Sequence, residues 1–162
     1  LRIFNASAAG TASTCAASAS RQDSRMRHSL LLERYPVFSL EIDKGETSLA
    51  SASDIAARLR ADIEAHPSAT FLATFDHRAH TESLPHGQIA PEILAAQNVV
   101  FCFGLTLPEP CALALRPRSI GIAELADGFV ISFLETPMPV ANSAMEHWAR
   151  ALRDRPAATP GA

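Results

Sequence analysis

The fold is decided by Leu113-Ala114-Leu115-Arg116-Pro117-Arg118-Ser119-Ile120-Gly121-Ile122-Ala123-Glu124-Leu125, then Ala126-Asp127-Gly128, then Phe129-Val130-Ile131-Ser132-Phe133-Leu134. In its last part Phe129, Ile131 and Phe133 alternate with Val130, Ser132 and Leu134, the period of a strand with two distinct faces. Asp127-Gly128 is a hairpin signal. Leu113 to Leu125 therefore reads as the preceding strand, interrupted by Pro117 and Gly121. A proline has no amide to donate to a ladder, so a bulge or an edge position suits it.

Working outward, Asn98 to Gly104 is a short run rich in Val and Phe. It reads as a central strand buried on both faces. Thr70 to His77 alternates, with Phe71, Ala73, Phe75 and His77 on one face. Between these two, His80 to Pro91 is irregular, and Pro91 can open a helical turn through Ile93 to Ala96. Tyr35 to Lys44 alternates with Phe38, Leu40 and Ile42 on one side. Ser51 to Ser53 offer caps for a helix whose Ile55, Leu59 and Ile63 recur every fourth residue, until His66-Pro67 stops it. Beyond Pro137 and Pro139, Asn142 or Ser143 can cap a last helix with Met145, Trp148, Ala149 and Leu152 on its apolar stripe. The order is β-α-β-β-β-β-α. Hairpin-length connections make the sheet antiparallel, and two amphipathic helices need one of its faces to bury their stripes. The expected fold is α+β in two layers, about five antiparallel strands with two helices.

The 162 residues suit one domain, with 48% apolar residues and a formal net charge of −3. Thirty of the apolar residues are Ala, so the core of large side chains is smaller than that share suggests. The near-neutral charge excludes a strongly basic nucleic-acid binder, and no apolar run is long enough for a transmembrane helix. Cys15, Cys102 and Cys111 are odd in number and lack a motif spacing, which reads as free thiols in a reducing, cytoplasmic compartment. Residues 1–27 are Ala-, Ser- and Arg-rich. Three readings stay open for them: a disordered tail, an organelle transit peptide, or sequence translated upstream of a start at Met26. Residues 154–162 read as a second disordered end, leaving residues 28–153 as a single domain.

The densest set of chemistry-bearing residues is Phe75-Asp76-His77-Arg78-Ala79-His80, with Glu82 and His86 beyond it. His77, His80 and His86 are candidate ligands for a divalent metal such as zinc, with Asp76 as a further ligand or as an acceptor orienting an imidazole. Against this, an Asp at a strand end commonly accepts hydrogen bonds from the turn that follows it. No Glu stands where a zincin would need its general base. Cys102, between two Phe in a strand, is a poor nucleophile because burial disfavours the thiolate. Nucleotide-binding glycine loops and the serine-hydrolase elbow are absent. Arg116 and Arg118 form the one concentrated basic spot. They can hold a carboxylate or phosphate, or simply block an exposed edge.

Phe75-Asp76-His77 with Ala79, Gly87-Gln88-Ile89-Ala90-Pro91-Glu92-Ile93-Leu94 and Val99-Val100-Phe101-Cys102-Phe103-Gly104 resemble the prokaryotic domain of unknown function family 302. A narrower bacterial family, domain of unknown function 6858, is similar over more of the chain. There the likeness includes Tyr35-Pro36-Val37-Phe38, Arg116-Pro117-Arg118-Ser119-Ile120-Gly121 and Phe129 to Leu134. The resemblance implies a β-α-β4-α domain of the TATA-binding-protein-like type, commonly dimeric, and supplies no activity. The chain departs from family 302 after Gly104, where Leu105-Thr106-Leu107 intervenes.

Two functions are expected to compete. One is a non-enzymatic module that binds a small ligand or a partner in the hollow between sheet and helices. Asp76, His77, Cys102, Arg116 and Arg118 are its candidate contacts, it carries no cofactor, and it involves neither nucleic acid nor membrane. The other is a metal-dependent enzyme built on His77, His80 and Asp76 or His86. Both place the Asp-His segment at the end of an interior strand.

Overall fold

A computed structural model describes residues 26–155. Six strands form one antiparallel sheet: β1 (Arg27–Leu31), β2 (Tyr35–Asp43), β3 (Ala69–Asp76), β4 (Ala95–Phe103), β5 (Arg118–Glu124) and β6 (Gly128–Leu134). Their spatial order is β1-β2-β6-β5-β4-β3. Three helices interrupt them: α1 (Ala52–Glu64), α2 (His77–Glu82) and α3 (Pro139–Ala151). The α+β class, the antiparallel sheet and the two long helices are as expected, with β1 and α2 added. The tails expected at residues 1–27 and 154–162 fall mostly outside the described residues.

One face of the sheet carries the core. Leu40 and Ile42, Val99, Phe101 and Phe103, Ile120 and Ile122, and Phe129, Ile131 and Phe133 are all buried. The registry explains why they meet: Ile42 pairs with Phe129, Leu40 with Ile131, Ile131 with Ile122, and Ile120 with Val99. Paired residues point to the same side, so each strand's alternation adds to one continuous apolar surface. Helix α1 lays Ile55, Leu59 and Ile63 over β3, β4 and β5, while α3 brings Met145, Trp148 and Leu152 over β2 and against α1. Trp148 is a core residue, its ring edge-on to Phe101 at 5.6 Å. Among the described residues no helix of this length covers the opposite face. Strand β4 is accordingly buried on one side only, with Asn98, Val100 and Cys102 half-buried on the other.

Helix α1 starts where its polar signals put it. Ser51 Oγ accepts from the Asp54 amide at 3.1 Å. Glu124, from the end of β5, accepts from the Ala52 amide at 2.8 Å and pairs with Lys44 at 3.1 Å. A carboxylate at a helix start favours its dipole, so this side chain ties sheet to helix. The last helix begins earlier than expected: Met138 is its N-cap and Pro139 its first residue. Asn142 caps nothing. Its amide grips Thr136 instead, accepting from the amide and donating to the carbonyl, both at 2.9 Å.

Three further differences have local causes. The β1–β2 turn is made by Leu32 and Glu33 at φ of 50° and 58°, a conformation usually announced by Asn or Gly. Pro117 precedes β5, which is an interior strand, so no ladder amide is lost to it. Strand β3 is the sheet's edge, not an interior strand, and its register shifts between Phe71 and Ala73. The extra residue, Leu72, breaks the two-residue period. Phe71 pairs with Phe101 on the helix side, under Arg60 at 4.7 Å, whereas Phe75 pairs with Asn98 on the open side and is 43% exposed.

At the domain's far end Arg153 pairs with Glu46 at 3.1 Å and also donates to the Glu41 carbonyl. Asp154 accepts from both the amide and the hydroxyl of Ser48.

Leu59→Ala is expected to cost about 2–5 kcal/mol in urea unfolding, as a fully buried leucine does, while Phe75→Asp leaves a cooperative transition. Loss of the transition in Phe75→Asp would contradict the edge placement of β3. The Ser48 hydroxyl and amide hold the Asp154 carboxyl below its ordinary range. The folded chain thus prefers the ionised form, and its stabilising effect is present above the ordinary carboxylate pKa and fades as pH falls through the lowered one. The melting-temperature difference between the native chain and Asp154→Asn should therefore shrink on acidification.

Candidate functional site

The residues singled out from the sequence fall in three separate places. Asp76 ends β3 and is the N-cap of α2, its Oδ1 accepting from the Ala79 amide at 2.8 Å. That bond accounts for the aspartate at this position. His77 opens α2 and, with His80, packs on the Phe75 ring, the ring centres 4.7 and 5.4 Å apart respectively. His77 also lines a shallow hollow with Arg78, Thr81 and Ile93. Arg78 is engaged there, donating to the Ile93 carbonyl and pairing with Glu82 at 2.7 Å. His86 lies beyond α2. Among the described residues no three His, Cys, Asp or Glu side chains come together as a metal would need, so His77, His80 and His86 do not form the expected ligand set. His77 and His80 meet on the Phe75 ring, but His86 lies beyond the helix, so contiguity in sequence did not bring them a third ligand.

Cys102 is half-buried on the open face of the sheet, where its strand neighbour is Thr70. It lines neither hollow.

Arg116 and Arg118 occupy the third place. They border a cavity of about 290 Å³ at the end of the sheet where β4 and β6 finish and β5 begins. Phe103, Arg118 and the first turn of α3 form its inner wall. The segment from Thr106 to Leu115, whose last six residues make a 3-10 helix (Pro110–Leu115), closes it from outside. Asp76 lies at the opposite end. It pairs with Gln97, and Gln97 to Phe103 is six positions along β4, roughly 20 Å at the usual strand rise. The hollow expected near Asp76, His77 and Arg118 together is thus one cavity near the arginines alone.

The local sequence builds this cavity in three steps. Gly104 sits at φ 125°, which costs other residues strain. A Cβ there would also lie 2.6 Å from Arg116 Nη2 and 3.3 Å from Met138 Cε. The missing side chain is what lets the Arg116 guanidinium cross the cavity mouth and donate to the Thr106 carbonyl at 2.8 Å. On the α3 side, the Asn142–Thr136 pair and the Met138 amide's bond to Thr136 Oγ1 at 3.2 Å fix the wall.

Arg118 is different. It projects from the helix-facing side of β5, beside Phe101, and is only partly solvated. No acceptor among the described residues takes a hydrogen bond from its guanidinium. Burial, and secondarily the charge of Arg116, pull its pKa below the ordinary arginine value. It stays cationic at neutral pH, so the fold holds a charge in a place that disfavours charge. Such an uncompensated group in a cavity is the usual mark of a binding site. Glu109 also lines the cavity and pairs with neither arginine among the described residues. Sequence reasoning found both arginines but missed Gly104, Thr136 and Met138. Only the departure after Gly104 hinted that this loop is built for something.

The fold and cavity define a one-sided α+β domain with a small, partly open hollow beneath one helix. The chain belongs to the family of unknown function DUF6858, whose profile matches residues 26–154. No curated protein and no solved structure matches the chain. No helix among the described residues is long and apolar enough to cross a membrane.

Arg118→Met, which keeps the aliphatic stem and removes the disfavoured charge, is expected to raise the melting temperature of the ligand-free protein. Gly104→Ala is expected to lower it, by about 1 kcal/mol or more of unfolding free energy. Differential scanning calorimetry reads both, and a less stable Arg118→Met would mean that the guanidinium has a compensating partner.

Proposed function

We propose that this domain is a non-enzymatic module that binds a small molecule in the cavity between the start of β5 and the first turn of α3. One observation carries the reading: a partly open hollow of about 290 Å³, walled by Phe103, Ala112, Leu115 and Met138, with polar groups at a few fixed points. Apolar walls with sparse, oriented polar groups are what small-ligand sites have in common. A cavity of about 150 Å³ holds benzene, so this one suits a molecule of about a dozen heavy atoms. None of its lining residues pairs a nucleophile with a base, and His77 and His80, on α2, are at the other end of the sheet. The metal-dependent alternative therefore has no geometric support of its own. With β1 and α2 set aside, the order β2-α1-β3-β4-β5-β6-α3 is the one the resemblance to family 302 implies, and that wider kinship is proposed here as part of the same reading.

A thermal-shift screen of small acids, amides and alcohols tests the assignment. Compounds of about ten to fifteen heavy atoms are expected to raise the melting temperature of the native chain. Leu115→Trp, which puts bulk into the mouth from a half-exposed position, is expected to abolish that effect without unfolding the protein. Equal protection in the native chain and Leu115→Trp would move the site elsewhere.

A further inference from the structure

Two opposed features of the cavity narrow its ligand. The first is charge. Arg116 and Arg118 are positive and Glu109 is negative, so the lining carries a single net positive charge. A monoanion is neutralised there, whereas a dianion would leave an excess. The second is the distribution of free donors. Arg116 spends one nitrogen on the Thr106 carbonyl and is fixed across the mouth. Arg118 has no acceptor among the described residues, and its planar fork can present two parallel N–H groups to two oxygens. The first turn of α3 adds its positive dipole end from the same side, through the backbone around Met138 and Ala141. The rest of the lining is mostly apolar, led by Phe103, Ala112, Leu115 and Met138, with Thr106 and Thr136 its other polar side chains.

Resting on the reading that this cavity binds a small molecule, we propose that the ligand is a monocarboxylic acid with an apolar body, about a dozen heavy atoms in all. Its carboxylate is gripped by Arg118, and its body lies against Phe103, Leu115 and Met138. The carboxylate supplies the partner that the Arg118 guanidinium lacks and relieves the repulsion between the two arginines. Inorganic phosphate fits the fork but leaves the apolar wall uncovered. A neutral amide covers the wall but leaves the charge unmet. Discrimination then follows from leaving a partly buried cation without its acceptor, which forfeits a hydrogen bond to a charged group.

Titration calorimetry on the full chain, with octanoate, phenylacetate, their primary amides and inorganic phosphate as probes, tests this. The two acids are expected to bind, the amides about tenfold more weakly or worse, and phosphate not at all. Arg118→Met should weaken the acids by the same factor while leaving the amides unchanged. Glu109→Gln, an exposed position outside the core, should tighten the acids, and this variant keeps the test open if Arg118→Met fails to fold. Amides that bind as well as the acids, in the native chain and in Arg118→Met alike, would overturn the acid assignment while leaving the cavity as a binding site. Phosphate binding more tightly than either acid would overturn the apolar body. Absence of binding by all the probes, or acid binding unaffected by Leu115→Trp, would remove both the assignment and the site beneath it.

Discussion

A single apolar sheet face, shared by β2, β6, β5 and β4, is the constraint on which everything else in this chain depends. Ile42, Leu40, Phe129, Ile131, Ile122, Ile120, Val99 and Phe101 reach it from four strands, and they are in register because antiparallel partners project to the same side. Two helices are enough to cover it, and the described residues supply two of the needed length. Their stripes of Ile55, Leu59 and Ile63, and of Met145, Trp148 and Leu152, have no other surface to bury against. The cavity is a by-product of the same arrangement. At the end of the sheet beneath the start of α3, Ala141 and Met138 are too small or too flexible to fill the space above Phe103 and Arg118. A loop then roofs what the helix leaves open.

The parts of the fold legible in the sequence were those with a strong period or a local signal. Ile55, Leu59 and Ile63 repeat every fourth residue over a helix that Ser51 caps. Phe129, Ile131 and Phe133 alternate after an Asp-Gly pair. What was not legible had no such signal. Strand β1 is joined to β2 through Leu32 and Glu33, and nothing about a leucine announces a left-handed turn. Helix α2 is six residues long, too short for a hydrophobic period to show. The bulge at Leu72 is the most instructive case. Phe71 and Phe75 are four apart and read as one face, but a single inserted residue in the register sends them to opposite sides.

The same distinction applies to the site. Arg116 and Arg118 were visible as a local concentration of charge, and they do line one cavity. The histidines were visible for the same reason and do not make a ligand set: His77 and His80 share the Phe75 ring, and among the described residues no third ligand joins them. Asp76 looked like a ligand and is a helix cap. Its type was informative and its role was local, a common outcome for an aspartate at a strand end. Gly104, Thr136 and Asn142 shape the cavity without carrying charge or chemistry, and only the folded chain reveals them.

The empty space at Gly104 binds the history of two positions together. Any descendant that gains a side chain there must either shorten residue 116 or break that residue's tie to the Thr106 carbonyl. Neither change is neutral alone, so the pair should drift in concert or not at all, and an aligned set of relatives would carry that correlation as a trace of the cavity's mouth.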